Sequence, residues 1–244
     1  MPCAPLFSNR IDAGEKIAQA VYRLFTEEFS IHSSFPLPVV YALPRGGIPV
    51  AVAVAKTLCC PLNIVVAKKI SHPEHPELAI GAVNVYGDVI WTKNLTKNLT
   101  KKKLFSDGEA EAKFGSCSSS EKTKAIEKAI EKATEKVKLL EKQFSPACPQ
   151  VDVKDAIVIL VDDGIATGMT IMVAANALRK LLPAQIWLCT PVAPLRLLPY
   201  LRQYVNRLII LETPEYFASV SDFYVNFHQV ETKEALLYLR EVNG

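Results

Sequence analysis

VILVDDGIATGMT, residues 158–170, is the stretch whose reading decides the fold of this 244-residue chain. Its first four residues are a short apolar run rich in β-branched side chains, as expected of a strand buried on both faces of a sheet. Two carboxylates follow, Asp162 and Asp163, then a turn of small residues, and a helix is predicted from Thr170 to Leu182. Backbone amides at the start of such a helix point at whatever occupies the turn. Ala166, Thr167 and Gly168 allow close approach, so a phosphate fits there, with the amides and the Thr167 and Thr170 hydroxyls as donors. Adjacent carboxylates cannot stabilise that phosphate. Ribose hydroxyls, which donate to carboxylates, are their natural partner, with a divalent cation nearby to offset the charge.

Outward from this unit the same pattern repeats. PVVYAL (38–43) and LNIVVA (62–67) read as buried strands, with a helix over 48–58 between them and another over residues 9–29, for which Asp12 is a plausible cap. On the other side come strands at 185–191 and 207–212, joined by a helix near 195–204. Strands alternating with helices at this spacing imply an α/β fold: three layers around a doubly wound, mainly parallel sheet. Ligands of such sheets sit outside the carboxyl ends of the strands. The chemistry is therefore expected in the turns after Leu43, Ala67, Val161, Pro191 and Glu212.

KKISHPEHPE (68–77) reads as a loop because two prolines interrupt it, and 78–85 with 88–91 as a strand or hairpin. Residues 92–120 are rich in Lys and Ser and read as an exposed excursion from a single domain spanning 1–244. Glu and Lys then alternate in blocks over 121–144 beside one apolar stripe, the mark of a long surface helix whose stripe offers a homodimer seam.

The net charge of +3 is unevenly spread. Residues 92–143 hold 13 lysines against eight acids, so the basic excess belongs to that segment alone. Few aromatics accompany it, and a solvated helical face explains it better than a nucleic-acid footprint. No run of eighteen apolar residues suggests a membrane span, and no secretory leader opens the chain. The six cysteines lack zinc-like spacing and read as reduced thiols of a cytoplasmic protein.

Residues 158–170 resemble the phosphoribosyl diphosphate motif of type I phosphoribosyltransferases: four apolar residues, two acids, two apolar positions and a T-G-x-T loop. LPRGG, PELAIGAV and VDDGIATG occur in the order seen in a bacterial branch of that family, and the likeness covers most of residues 10–241. The resemblance implies transfer of a 5-phosphoribosyl group from phosphoribosyl diphosphate to a nitrogenous base, with Mg²⁺ as cofactor and diphosphate as leaving group. It implies that Asp162 and Asp163 hold the ribose hydroxyls, directly or as Mg²⁺ contacts through water. Gly164, Ile165, Ala166, Thr167, Gly168, Met169 and Thr170 would form the 5-phosphate loop, with Ile165 beneath the base. Gly164 departs from the family, which mostly has an apolar residue there, so the loop is expected to be looser at that point. Ala166 stands where enzymes acting on 6-oxopurines have an Asp, which disfavours such a substrate.

Arg45, Gly46 and Gly47 make an anion site from amides and a guanidinium, the glycines permitting unusual backbone angles; a plain turn with a surface arginine explains the same residues. The resemblance assigns them to diphosphate and places backbone strain at the Pro44–Arg45 bond, where some members hold a cis peptide. Lys68 and Lys69, at the predicted end of the second strand, would add charge for diphosphate, and 70–83 resembles a loop that closes over the substrate. Arg45, Lys69, Asp162 and Asp163 are thus the catalytic candidates. His72, Glu74 and His75 do not read as a metal site, since prolines interrupt the segment. Tyr216, Phe217, Phe223 and Tyr224, in a tail resembling the family's hood, are candidates for stacking on the base, although tail aromatics more often complete a core. Two rival readings keep the ligand but not the transfer: a sensor of phosphoribosyl diphosphate that binds nucleic acid or protein, and a hydrolase using water as acceptor.

Overall fold

The computed structural model describes residues 5–29, 37–92 and 119–244. Five strands form one parallel sheet in the order β2-β1-β6-β7-β8: β1 (Pro38–Ala42), β2 (Leu62–Ile64), β6 (Ile157–Val161), β7 (Gln185–Val192) and β8 (Arg207–Glu212). This is the expected α/β fold. All five residues of β6 are buried because both faces of the sheet are covered. Ile157, Ile159 and Val161 enter the core beneath α1 (Arg10–Phe29) and α2 (Gly47–Leu58). Val158 and Leu160, alternating with them, enter the core beneath α4 (Met169–Arg179).

The chain leaves β1 for β2 on one side, and leaves β6 for β7 and β8 on the other. The order reverses between β1 and β6, and the crevice beyond the carboxyl ends of those two strands is where an open α/β sheet binds its ligands. In register, Ala42 stands beside Val161, and Leu43 donates its N–H to the Val161 carbonyl at 3.0 Å.

Several elements differ from the sequence expectation. The apolar run 62–67 does not form one strand. β2 ends at Ile64, and the chain crosses into a second, antiparallel sheet made of β3 (Ala67–Ser71), β4 (Ala79–Asn84) and β5 (Val89–Trp91). Lys68 and Lys69 therefore lie within a strand, opposite Val83 and Ala82, and not at the end of one in the main sheet. The loop expected over 68–77 is strand as far as Ser71, because β4 supplies a partner that a local composition argument cannot see. The 78–91 hairpin is present.

The long helix α3 (Ser119–Phe144) turns its stripe inward: Ala133, Val137 and Phe144 are buried in the same core as Ile70, Ile80 and Val83 of the small sheet. Much of that stripe is thus used within the chain. Of the Lys- and Ser-rich excursion, residues 93–118 lie outside the described residues.

In place of one helix over 195–204 stand a 3-10 turn (Leu195–Leu197) and the short α5 (Leu198–Leu201). A C-terminal helix, α6 (Thr232–Asn243), was not anticipated. Asn9, not Asp12, caps α1, its side-chain oxygen accepting from the N–H groups of Ile11 and Asp12 at 2.9 and 3.0 Å. Among the described residues no helix is long and apolar enough to cross a membrane.

Candidate active site

The turns leaving β1 and β6 are pressed together. The Pro44–Arg45 peptide bond is cis, and Gly46 has ordinary right-handed angles, φ −62° and ψ −34°. Unusual backbone angles do not explain the glycine. Contact does: a Cβ on Gly46 would collide with the Asp163 carboxylate, and one on Gly47 would stand 2.8 Å from the Val161 carbonyl. The glycine pair lets the first turn lie directly on the acids of the second.

Asp162 and Asp163 then face different spaces. Asp163 lines an open cavity of about 390 Å³ together with Arg45, Gly46 and Lys68, and Val220, Phe227 and Val230 complete the apolar part of its lining. Asp162 lines a second cavity of about 190 Å³ with Lys69, the turn from Gly164 to Gly168, and Thr170 and Ile171 of α4. Lys68 and Lys69 are neighbours on β3, so their side chains point to opposite sides and each serves one cavity. Met169 is buried in the core beneath α4.

In the smaller cavity the backbone is prepared for an anion. Gly168, at φ +76°, turns the chain into α4 in the left-handed region that glycine tolerates. The N–H groups of Ala166, Thr167 and Gly168 meet no acceptor among the described residues. Ile165 is fixed by its N–H bond to the Val192 carbonyl at 2.9 Å. Gly164 is not a loose point: the Val220 side chain occupies the place a side chain there would take, locking the C-terminal segment onto the turn.

Three of the charges in the larger cavity, on Arg10, Asp163 and Arg45, are paired with protein groups. Arg10, from the first turn of α1, donates Nε–H to Asp163 Oδ2 at 2.7 Å and Nη1–H to the His228 carbonyl at 2.7 Å. Arg45 donates to Thr232 Oγ1 at 3.2 Å and lies 3.9 Å from Glu231 Oε2, both at the start of α6. Burial pushes both carboxyls upward; the Arg10 guanidinium opposes this at Asp163, whereas the Asp163 charge adds to it at Asp162, which is raised well above the usual range. Burial, with Arg45 and Lys136 nearby, draws Lys68 downward.

Of the aromatic candidates, Tyr216 is 94% exposed and Phe217 stacks on Phe223 at 5.7 Å between ring centres. Tyr224 is buried against Phe7 and Phe227 and donates its hydroxyl to the Asp163 carbonyl at 2.6 Å. None of the four lines either cavity, whereas Phe227 and Val220 do. Sequence reasoning passed over Arg10, Val220 and Phe227. The tail sequence signalled aromatic candidates without ranking them, and nothing local marks Arg10.

Two curated proteins of Mycobacterium tuberculosis, from strains CDC 1551 / Oshkosh and ATCC 25618 / H37Rv, each bear the name "Putative phosphoribosyl transferase". The chain is a relative of these named phosphoribosyl transferases. It is 29% identical to each over 234 residues, which is 96% of its own length and 46% of theirs. It thus spans about half the length of the curated relatives it matches. The crystal structure of the Thermus thermophilus protein TT1426 has the same fold, with a TM-score of 0.70 and 26% identity over 98% of this chain and 99% of that one. No protein-family model matches the chain.

Proposed function

We propose that the protein transfers a 5-phosphoribosyl group from phosphoribosyl diphosphate to a ring nitrogen of a base. The observation that carries this is the division of the crevice by Asp162 and Asp163 into two cavities, each with its own cations. A pentose with a phosphate at C5 and a diphosphate at C1 has the matching form: two anionic ends and a hydroxylated middle. The curated relatives' names support the same reading.

In this arrangement the 5-phosphate occupies the smaller cavity on the free amides of Ala166, Thr167 and Gly168, with Lys69 and the Thr167 and Thr170 hydroxyls. Asp162 and Asp163 accept hydrogen bonds from the ribose hydroxyls. Arg45, Lys68 and the amides of the Gly46–Gly47 turn hold the diphosphate. The C1–O bond breaks with its electron pair leaving on diphosphate, and the lone pair of the acceptor nitrogen forms the new bond to C1. Between the two events the ring is cationic, and two carboxylates beneath it favour that charge while the cations stabilise the departing anion.

Two adjacent carboxylates beside a diphosphate site suit Mg²⁺, which binds through one or two carboxylates plus substrate phosphates and keeps several waters. When bound, it would neutralise diphosphate charge, with Asp162 and Asp163 reaching it through water.

Calorimetry with phosphoribosyl diphosphate and Mg²⁺, followed by diphosphate release across a panel of bases, tests the reading. Base-dependent release is expected. Base-independent release would make the protein a hydrolase, and binding without release a sensor. Asp163→Asn should lower release by roughly 10²-fold or more, with the far-UV circular dichroism spectrum unchanged. Near wild-type turnover would remove Asp163 from the site.

A further inference from the structure

Arg10 is 8% exposed, yet it lines the larger cavity. Two of its three guanidinium nitrogens are committed, Nε to Asp163 and Nη1 to the His228 carbonyl. The guanidinium carbon stands 3.7 Å from the centre of the Phe227 ring. This fixes the plane of the group. Its third nitrogen, Nη2, has no acceptor among the described residues. An almost fully buried guanidinium with an unused edge on a cavity calls for an acceptor atom from outside the chain, because arginine carries only donors.

Arg45 and Lys68 sit on the side of that cavity given above to diphosphate. The remaining wall consists of Arg10, Phe227, Val220 and Val230, with the exposed Gln229 at its edge. Apolar walls closed by one rigid donor suit a flat ring bearing a hydrogen-bond-accepting oxygen. A ring with an exocyclic amine in the same place would set donor against donor. Asp163 cannot accept from that amine on the edge already taken by Arg10.

We infer that Arg10 determines acceptor specificity, its Nη2 edge selecting rings that carry a carbonyl or carboxylate oxygen over rings that carry an amine. This rests on the phosphoribosyl-transfer reading for what becomes of the ring, but not for its binding.

Matched pairs test it on the full chain with magnesium diphosphate present and no sugar donor, so that no transfer occurs: pyrimidin-4-one against 4-aminopyrimidine for a ring carbonyl, and pyridine-3-carboxylate against 3-aminopyridine for a carboxylate. Binding is read by saturation-transfer NMR with competition. The oxygen-bearing member of at least one pair should bind roughly tenfold or more tightly than its partner, since a site built to donate rejects an analogue that cannot accept. Which pair responds tells carbonyl from carboxylate. In Arg10→Gln, whose amide both donates and accepts, that preference should collapse. Equal binding within both pairs, binding of none of the four, or a preference kept in a folded Arg10→Gln protein would each overturn the inference. If Arg10→Gln does not fold, the wild-type pairs decide alone. Calorimetry with phosphoribosyl diphosphate is scored separately: a ring preference without binding of that sugar would retain Arg10 as a ring selector and remove the transfer reading.

Discussion

Lys68 shows how far a single side chain's chemistry depends on its surroundings. Half-buried on β3 and close to the Arg45 and Lys136 charges, its ammonium is drawn below the usual lysine range. The charged form is the disfavoured one, so as pH rises the positive charge is lost earlier than from an exposed lysine. If Lys68 holds diphosphate, affinity for magnesium diphosphate should fall with rising pH from below the ordinary lysine range. Lys68→Arg, whose guanidinium stays charged, should move that fall to higher pH. Calorimetric titrations of both proteins between about pH 7 and pH 10 check this, and superimposable profiles would remove Lys68 from the anion site. Gly46 makes the same point sterically. Its sequence context suggests a conformational role, while the structure shows that it is needed because Asp163 lies where its side chain would be.

At the level of elements, the hairpin of β4 and β5 is anchored to α4 from the two ends of its connection. Asn84 is fully buried at its turn, accepting from the N–H groups of Tyr86 and Asp88 and donating to the Val173 carbonyl of α4 at 3.1 Å. Lys180, just beyond α4, pairs with Asp88 at 2.7 Å and stands 4.8 Å from the centre of the Tyr86 ring. The pair is half exposed, so its loss should cost at most about 1 kcal/mol of global stability. Locally it should matter more, because Tyr86 and Gly87 at the tip of the turn are exposed. Lys180→Met should therefore speed hydrogen exchange over residues 79–91 several-fold and leave the melting temperature nearly unchanged. Unaltered exchange would show that Asn84 alone anchors the hairpin.

Across the whole molecule, the site draws on both ends of the described chain. Phe7 and Tyr224 form a parallel bridge, Arg10 grips the His228 carbonyl, and α6 packs on α2 with Ala235 and Leu239 in the core. Asn243 closes that helix onto the carbonyls of Leu62 and Ala147, at 2.8 and 3.0 Å. The first residue of α6, Thr232, is the partner of Arg45. Packing far from the crevice thus positions Arg45. Leu239→Ala, at a fully buried position, should cost about 2–5 kcal/mol in urea unfolding. It should also weaken diphosphate binding under conditions where the protein remains folded. Destabilisation with no change in binding would uncouple α6 from Arg45.

The parallel strands, the acid pair and the small-residue turn were legible in the amino-acid sequence, because each is encoded within a few consecutive residues: apolar β-branched runs, two carboxylates, a glycine where φ must be positive. Sequence by itself thus determined the fold class and the centre of the candidate site. What it could not determine depends on residues far apart in the chain. The division of 62–71 between two sheets required β4 as a partner, and the stripe of α3 found its cover in the small sheet. Arg10 meets Asp163 only because α1, packed on α2 and against β7 and β8, brings its first turn to the crevice. Short-range pattern specifies which elements form; which side chains face each cavity was decided by close packing between elements, and only the tertiary structure expresses that.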